Sequence, residues 1–137
     1  MSTPPAGFRE IEHTADWELQ AWGPDLITLF EQAARGMYAL CGARWLGGPL
    51  QKRSVVIKAA DNEKLLVSFL SELLYIYDQE ALGFNRMDIR ITNGLLRANL
   101  EGTRLSSFEK EIKAVTYHNL LVLQTNIGWE VNIVFDV

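Results

Sequence analysis

Between Asp61 and Glu80 apolar residues return every three or four positions. Leu66, Phe69, Leu70, Leu73 and Tyr77 form one stripe, widened by Leu65, Leu74 and Ile76. That period is helical, and so wide a stripe marks a central helix packed on a sheet. Asp61 is a natural cap for it. A second helix is predicted after Gly23-Pro24-Asp25, with Pro24 at the first helical position and Asp25 complementing the positive helix N-terminus. Leu26, Phe30, Ala33, Ala34, Met37 and Cys41 share its buried face, and Gly42 stops it. Alternating segments supply the sheet: residues 8–12, 17–22, 53–60, 87–91, 96–100, 115–124 and 129–135. Asn93-Gly94 between two of them is a hairpin signal, and Asn126-Ile127-Gly128 is a further turn. Residues 45–49 read as a Gly-rich loop and 102–111 as a link. The expected fold class is α+β: a single domain, with a mostly antiparallel sheet of about seven strands and two main helices packed on it. The domain is expected over residues 8–137, after a loose tail at 1–7.

Composition narrows the function classes. A chain of 137 residues with 48% hydrophobic and 22% charged residues is globular rather than disordered or rod-like. No apolar run approaches the roughly 20 residues of a membrane span, so no membrane partner is expected. The first residues carry no signal-peptide pattern. Cys41 is the lone cysteine and has no internal disulfide partner, so a reducing, cytoplasmic location is expected. Seventeen acids against 13 bases give a net charge of −4. Nucleic-acid affinity rests on neutralising phosphates, so direct strong nucleic-acid binding is not expected.

Most chemical motifs are missing. Gly47-Gly48-Pro49 lacks the Lys-Ser/Thr ending of a phosphate-binding loop, and no G-x-G-x-x-G occurs. Ser106-Ser107 has no elbow glycines, and Cys41 on an apolar stripe reads as a small buried hydrophobe. His13 and His118 lack the short spacing of a zinc pair. The carboxylates say more. Glu12-His13-Thr14-Ala15-Asp16 packs two acids and a histidine into a short link, which also suits an Asp that caps its own backbone. At the other end, alternation through Trp129, Val131, Ile133 and Phe135 turns Asp136 away from the aromatic row, beside the terminal carboxylate of Val137. Two such negative groups are solvated or bridged by a cation, and a hard divalent ion takes oxygen ligands only.

The stretch Glu12-His13-Thr14-Ala15-Asp16 resembles the N-terminal signature of the archease family. Leu29 to Ala34, Leu66 to Tyr75, Glu111 to His118 and Val134 to Val137 resemble the family in the same order. The resemblance covers about residues 8–137. It implies a non-catalytic accessory protein of the RtcB-type RNA ligase, the GTP-dependent enzyme that joins tRNA halves in tRNA splicing and RNA repair. Such a protein promotes guanylylation and multiple turnover of the ligase. The resemblance also implies a divalent metal held by Asp16, Asp136 and Val137. Calcium is the first expectation, with magnesium and manganese as alternatives. Ligase activation is assigned by the same resemblance to Asp16, Lys113 and Asp136, with Glu12, His13 and His118 as outer neighbours. The chain departs from the family pattern over residues 103–110. Two rival readings are a metal-dependent hydrolase using Asp16, His13 and Asp136, and a general chaperone-like binding module.

Overall fold

The computed structural model describes residues 4–12 and 16–137. Within them the chain runs β1 (Gly7–Ile11), β2 (Trp17–Gly23), α1 (Leu26–Cys41), β3 (Trp45–Lys58), α2 (Asn62–Glu80), β4 (Leu82–Thr92), β5 (Leu95–Leu105), β6 (Ala114–Val115), β7 (Val122–Thr125) and β8 (Gly128–Asp136). The α+β class is as expected, and every described strand pairing is antiparallel. The strands divide between two sheets. One has the order β1-β2-β8-β6, with β7 also on β8, and the other is β3-β5-β4. Gly7 already belongs to β1, and the Pro4 carbonyl accepts a hydrogen bond from the Trp22 indole at 2.9 Å.

Both helices are closed by local chemistry. Asp25 is the cap of α1, not a first-turn residue: its carboxylate accepts from the Thr28 amide at 2.7 Å, and Pro24 lies one residue outside. Asp61 does the same for α2 through the Lys64 amide at 2.8 Å. Each cap satisfies a donor that would otherwise be orphaned. Gly42 ends α1 in the left-handed region, and Ala81 ends α2 there with φ 55°. Each helix touches both sheets. Phe30 of α1 stacks on Phe69 of α2 at 6.2 Å between ring centroids, and the buried residues around them are apolar. Among the described residues no helix is long and apolar enough to cross a membrane.

Several expected boundaries differ, and β4 begins at Leu82 rather than at residue 87. Residues 45–49 are not a loop but the first part of β3, which pairs with β5 across a register break at Gly47 and Gly48, where φ is +75° and +94°. Correspondingly, β5 continues to Leu105 into the expected link. The single strand expected over 115–124 is split, because both β6 and β7 pair with β8 but residues 116–121 bulge out between them. Asn119 turns there at φ 51°, and Asn accepts this region more readily than most residues. The Asn93-Gly94 hairpin forms with positive φ at both positions, as its turn chemistry demands.

Two substitutions test the backbone reading with opposite signs. Ala81→Gly removes a Cβ from a left-handed cap and should stabilise the fold by about 1 kcal/mol. Gly102→Ala would set its Cβ 1.7 Å from the Gly83 carbonyl oxygen, and should destabilise by at least the roughly 1–3 kcal/mol of overpacking. Urea unfolding checks both. Cys41 gives a third test. It is fully buried, and burial pushes its thiol up to about 12. A thiol reagent at pH 8 should leave the native protein unlabelled and titrate one thiol after unfolding.

Candidate functional site

Two acidic residues singled out in the sequence, Asp16 and Asp136, flank one end of the β2–β8 pair. Phe135 lies between Trp17 of β2 and Val115 of β6, and Asp136 lies opposite Ala114. Asp16 immediately precedes Trp17 and Asp136 immediately follows its partner Phe135, so both leave the same end of that strand pair. Both aspartates are exposed. Glu12 follows the last residue of β1, whose partner Glu18 is only two residues from Asp16, so it belongs to the same end of the sheet. Val137 is half-buried and its side chain packs on the core. Glu12, Asp16 and Asp136 thus lie at the same end of three adjacent strands, and carboxylate oxygen is the donor type that a hard divalent ion takes. Among the described residues no three His, Cys, Asp or Glu side chains form a metal-binding group. His13 lies outside the described residues. His118 is exposed in the bulge that follows Thr116, the partner of Val134, and so lies further along β8 from Asp136.

Lys113 joins this end through its backbone. Its amide donates to the Asp136 carbonyl at 2.7 Å, and its exposed side chain lines a cleft of about 670 Å³ between α2 and the segment leading into β6. Ser71, Tyr75 and Asp78 form the helical wall of that cleft, and Glu111 stands beside Lys113.

The segment before Lys113 is fastened by contacts that the sequence did not announce. The ring of Phe108 stacks on Tyr77 with centroids 3.7 Å apart. The Tyr77 hydroxyl donates to the Ser106 carbonyl at 3.0 Å and accepts from the Phe108 amide at 3.2 Å. The amides of Glu109 and Lys110 both donate to the Cys41 carbonyl at the end of α1. Lys110 then places its ammonium 4.2 Å from the centre of the Trp17 ring, next to Asp16 in the chain. A cation over an indole face is attracted by the ring quadrupole. The only hint in the sequence was a tyrosine, with its polar tip, ending an otherwise apolar stripe.

Comparison with known proteins gives one answer. The Archease protein family matches residues 8–137. The protein archease of Methanosarcina barkeri is 35% identical over the whole of both chains, and that of Methanothermobacter thermautotrophicus 30% identical over 96% of this chain and 99% of its own. The solution structure of Methanobacterium thermoautotrophicum protein 1598 aligns with a TM-score of 0.71 at 25% identity, over 96% of this chain and 99% of that one. A Thermotoga maritima crystal structure, described as an archease and possible chaperone, shares the fold with a TM-score of 0.70 at 21% identity, over 100% of this chain and 98% of that one.

The fastening of residues 106–113 is testable away from any activity. Tyr77→Phe removes both hydroxyl hydrogen bonds and keeps the ring stack. It should cost about 1–2 kcal/mol and speed amide exchange over 106–113 more than in α1. Equal exchange in variant and wild type would show that the hydroxyl does not hold the segment.

Proposed function

Because this chain belongs to the archease family, we propose that it is a non-catalytic accessory protein that activates an RtcB-type RNA ligase in tRNA splicing and RNA repair. The observation that supports the proposal is the backbone hydrogen bond of Lys113 to Asp136 at the end of the five-stranded sheet where Asp16 precedes β2 and Val137 follows β8. Residues distant in sequence and picked out by the family's motifs share one edge of the molecule. Exposed carboxylates at a strand end suit insertion into a partner's cleft better than catalysis on their own.

In this reading Asp16, Asp136 and the Val137 carboxylate hold a divalent ion, calcium first and magnesium or manganese as alternatives. The ion relieves repulsion among three anionic groups and supplies a positive centre for phosphate oxygens in the partner's site. Water completes its shell, because the protein offers few ligands. Lys113 steadies the carboxylates or reaches a phosphate as a compact point charge. Activation follows if the protein binds the guanylylation-competent arrangement of the ligase more tightly than the resting one. The segment 106–113, pinned by Tyr77 and the end of α1, sets where Lys113 emerges.

The test uses the ligase from the same source, GTP and RNA ends to be joined. The protein should raise multiple-turnover joining and ligase guanylylation, while joining no RNA and hydrolysing no GTP alone. Asp136→Asn and Lys113→Ala should fold normally and lose most of the activation. GTP hydrolysis by the isolated protein that disappears in Asp16→Ala would favour the hydrolase reading. Suppression of the ligase's aggregation with no change in guanylylation would favour the chaperone-like one. Separately, calcium at about 100 times its dissociation constant should stabilise the wild type by about 2.7 kcal/mol, seen as a raised Tm, and Asp136→Asn should abolish most of that rise.

A further inference from the structure

The three-stranded sheet has one face on the helices and one in solvent. Val55, Ala98 and Ile89 of its three strands point inward and are buried. The alternate residues therefore form the open face, and the register orders them in rows. Lys52, Glu101 and Arg86 make the first row, and Ser54, Asn99 and Asp88 the second. Val56, Arg97 and Arg90 make the third, and Lys58, Leu95 and Thr92 the fourth. Five cations thus face solvent with two anions, on a chain whose net charge is −4.

The anions do not neutralise this face. Glu101 is shared between Lys52 at 3.6 Å and Arg86 at 3.9 Å, and Asp88 stands 3.8 Å from Arg90. The side chains of Lys52, Arg86 and Arg90 are at least 75% exposed, where such pairs hold weakly. Among the described residues Arg97 and Lys58 have no ion-pair partner. Arg90 and Arg97 stand directly opposite each other, and like charges in that position destabilise a sheet. A polyanion laid across the face would relieve that repulsion.

We propose that this open face binds the sugar–phosphate backbone of RNA, independently of the acidic end of the other sheet. From strand spacing the face is about 10 Å wide and about 20 Å long, enough for about four nucleotides, the lower end of known single-strand site sizes. It carries no aromatic side chain on which a base could stack, so binding is to the backbone and independent of sequence. Asn99 and Ser54 hydrogen-bond each other at 3.0 Å between the cationic rows. Their remaining donors and acceptors suit ribose 2′-hydroxyls, the groups that distinguish RNA from DNA. An anionic membrane fits these four rows poorly, because Val56 is the one strongly exposed apolar residue within them, Leu46 and Leu50 lying further along β3 before the rows begin, and interfacial binding needs buried apolar area.

Fluorescence anisotropy with labelled 20-nucleotide RNA tests this on the intact protein. With a net charge near three neutralised, the logarithm of affinity should fall with the logarithm of salt at a slope of about −2. Between 50 and 200 mM salt that is a loss of about twentyfold. Arg90→Ala/Arg97→Ala should keep or raise the Tm, since it removes the like-charge pair, yet weaken RNA binding at least fivefold and reduce the slope to below about −1 in size. Arg9→Glu, on the other sheet, should leave the slope unchanged. Absence of binding at 50 mM salt would overturn the proposal. So would equal binding by the double variant, equal affinity for DNA of the same sequence, or binding to phosphatidylserine vesicles with the same dependence on Arg90 and Arg97.

Discussion

Strand β8 is hydrogen-bonded to β2 along one side and to β6 and β7 along the other, and the position of every group at the acidic end follows from that double register. Side chains alternate along a strand, so a slip of one residue would move its whole buried set to the wrong face. The buried row Val131, Ile133 and Phe135 fixes the phase against Leu19 and Ala21 of β2, which are also fully buried. Asp136 lies exposed one residue beyond the buried Phe135, with the Lys113 amide on its carbonyl and Asp16 just before β2.

The same packing links the acidic end to the helices. The terminus of α1 offers the Cys41 carbonyl to residues 109 and 110, and the last turns of α2 offer the ring and hydroxyl of Tyr77 to residues 106 and 108. Lys110 and Lys113 therefore reach the acidic edge from a segment tied to the core rather than from a free loop. Restricting such groups before a partner arrives reduces the conformational entropy lost on binding. The exposed face of the three-stranded sheet has the opposite character. It is flat, basic and made of long flexible side chains, suited to weak, salt-sensitive contact.

Local signals were legible in the sequence and long-range ones were not. The Asp61 cap of α2, the left-handed Gly42 and the Asn93-Gly94 hairpin were readable, because each depends on one or two residues satisfying nearby backbone, whereas α1 starts at Leu26, beyond the expected Pro24. The buried phase of β8 could be read from its alternation. Which strands flank β8 could not, because antiparallel pairing leaves no mark in either strand alone. Val115 to Gln124 reads as one strand, yet it bulges at 116–121, between its two pairings with β8. The contact of Lys110 with Trp17 joins positions 93 residues apart by number, with no spacing rule to suggest it. The basic face is the clearest case: Lys52, Lys58, Arg86, Arg90 and Arg97 look scattered until alternation and register gather them. The expectation of no strong nucleic-acid binding rested on overall charge, which averages that face with the rest of the surface.

We propose that Asp16, Asp136 and the Val137 carboxylate form one divalent-ion site at the end of the sheet where Lys113 bonds to Asp136. Paramagnetic broadening by manganese in a proton–nitrogen NMR spectrum reads this most directly. Substoichiometric manganese should broaden the amides of residues 16, 113, 114, 136 and 137 first, and excess calcium should restore them. Broadening centred elsewhere, or none at these positions at millimolar manganese, would contradict the account.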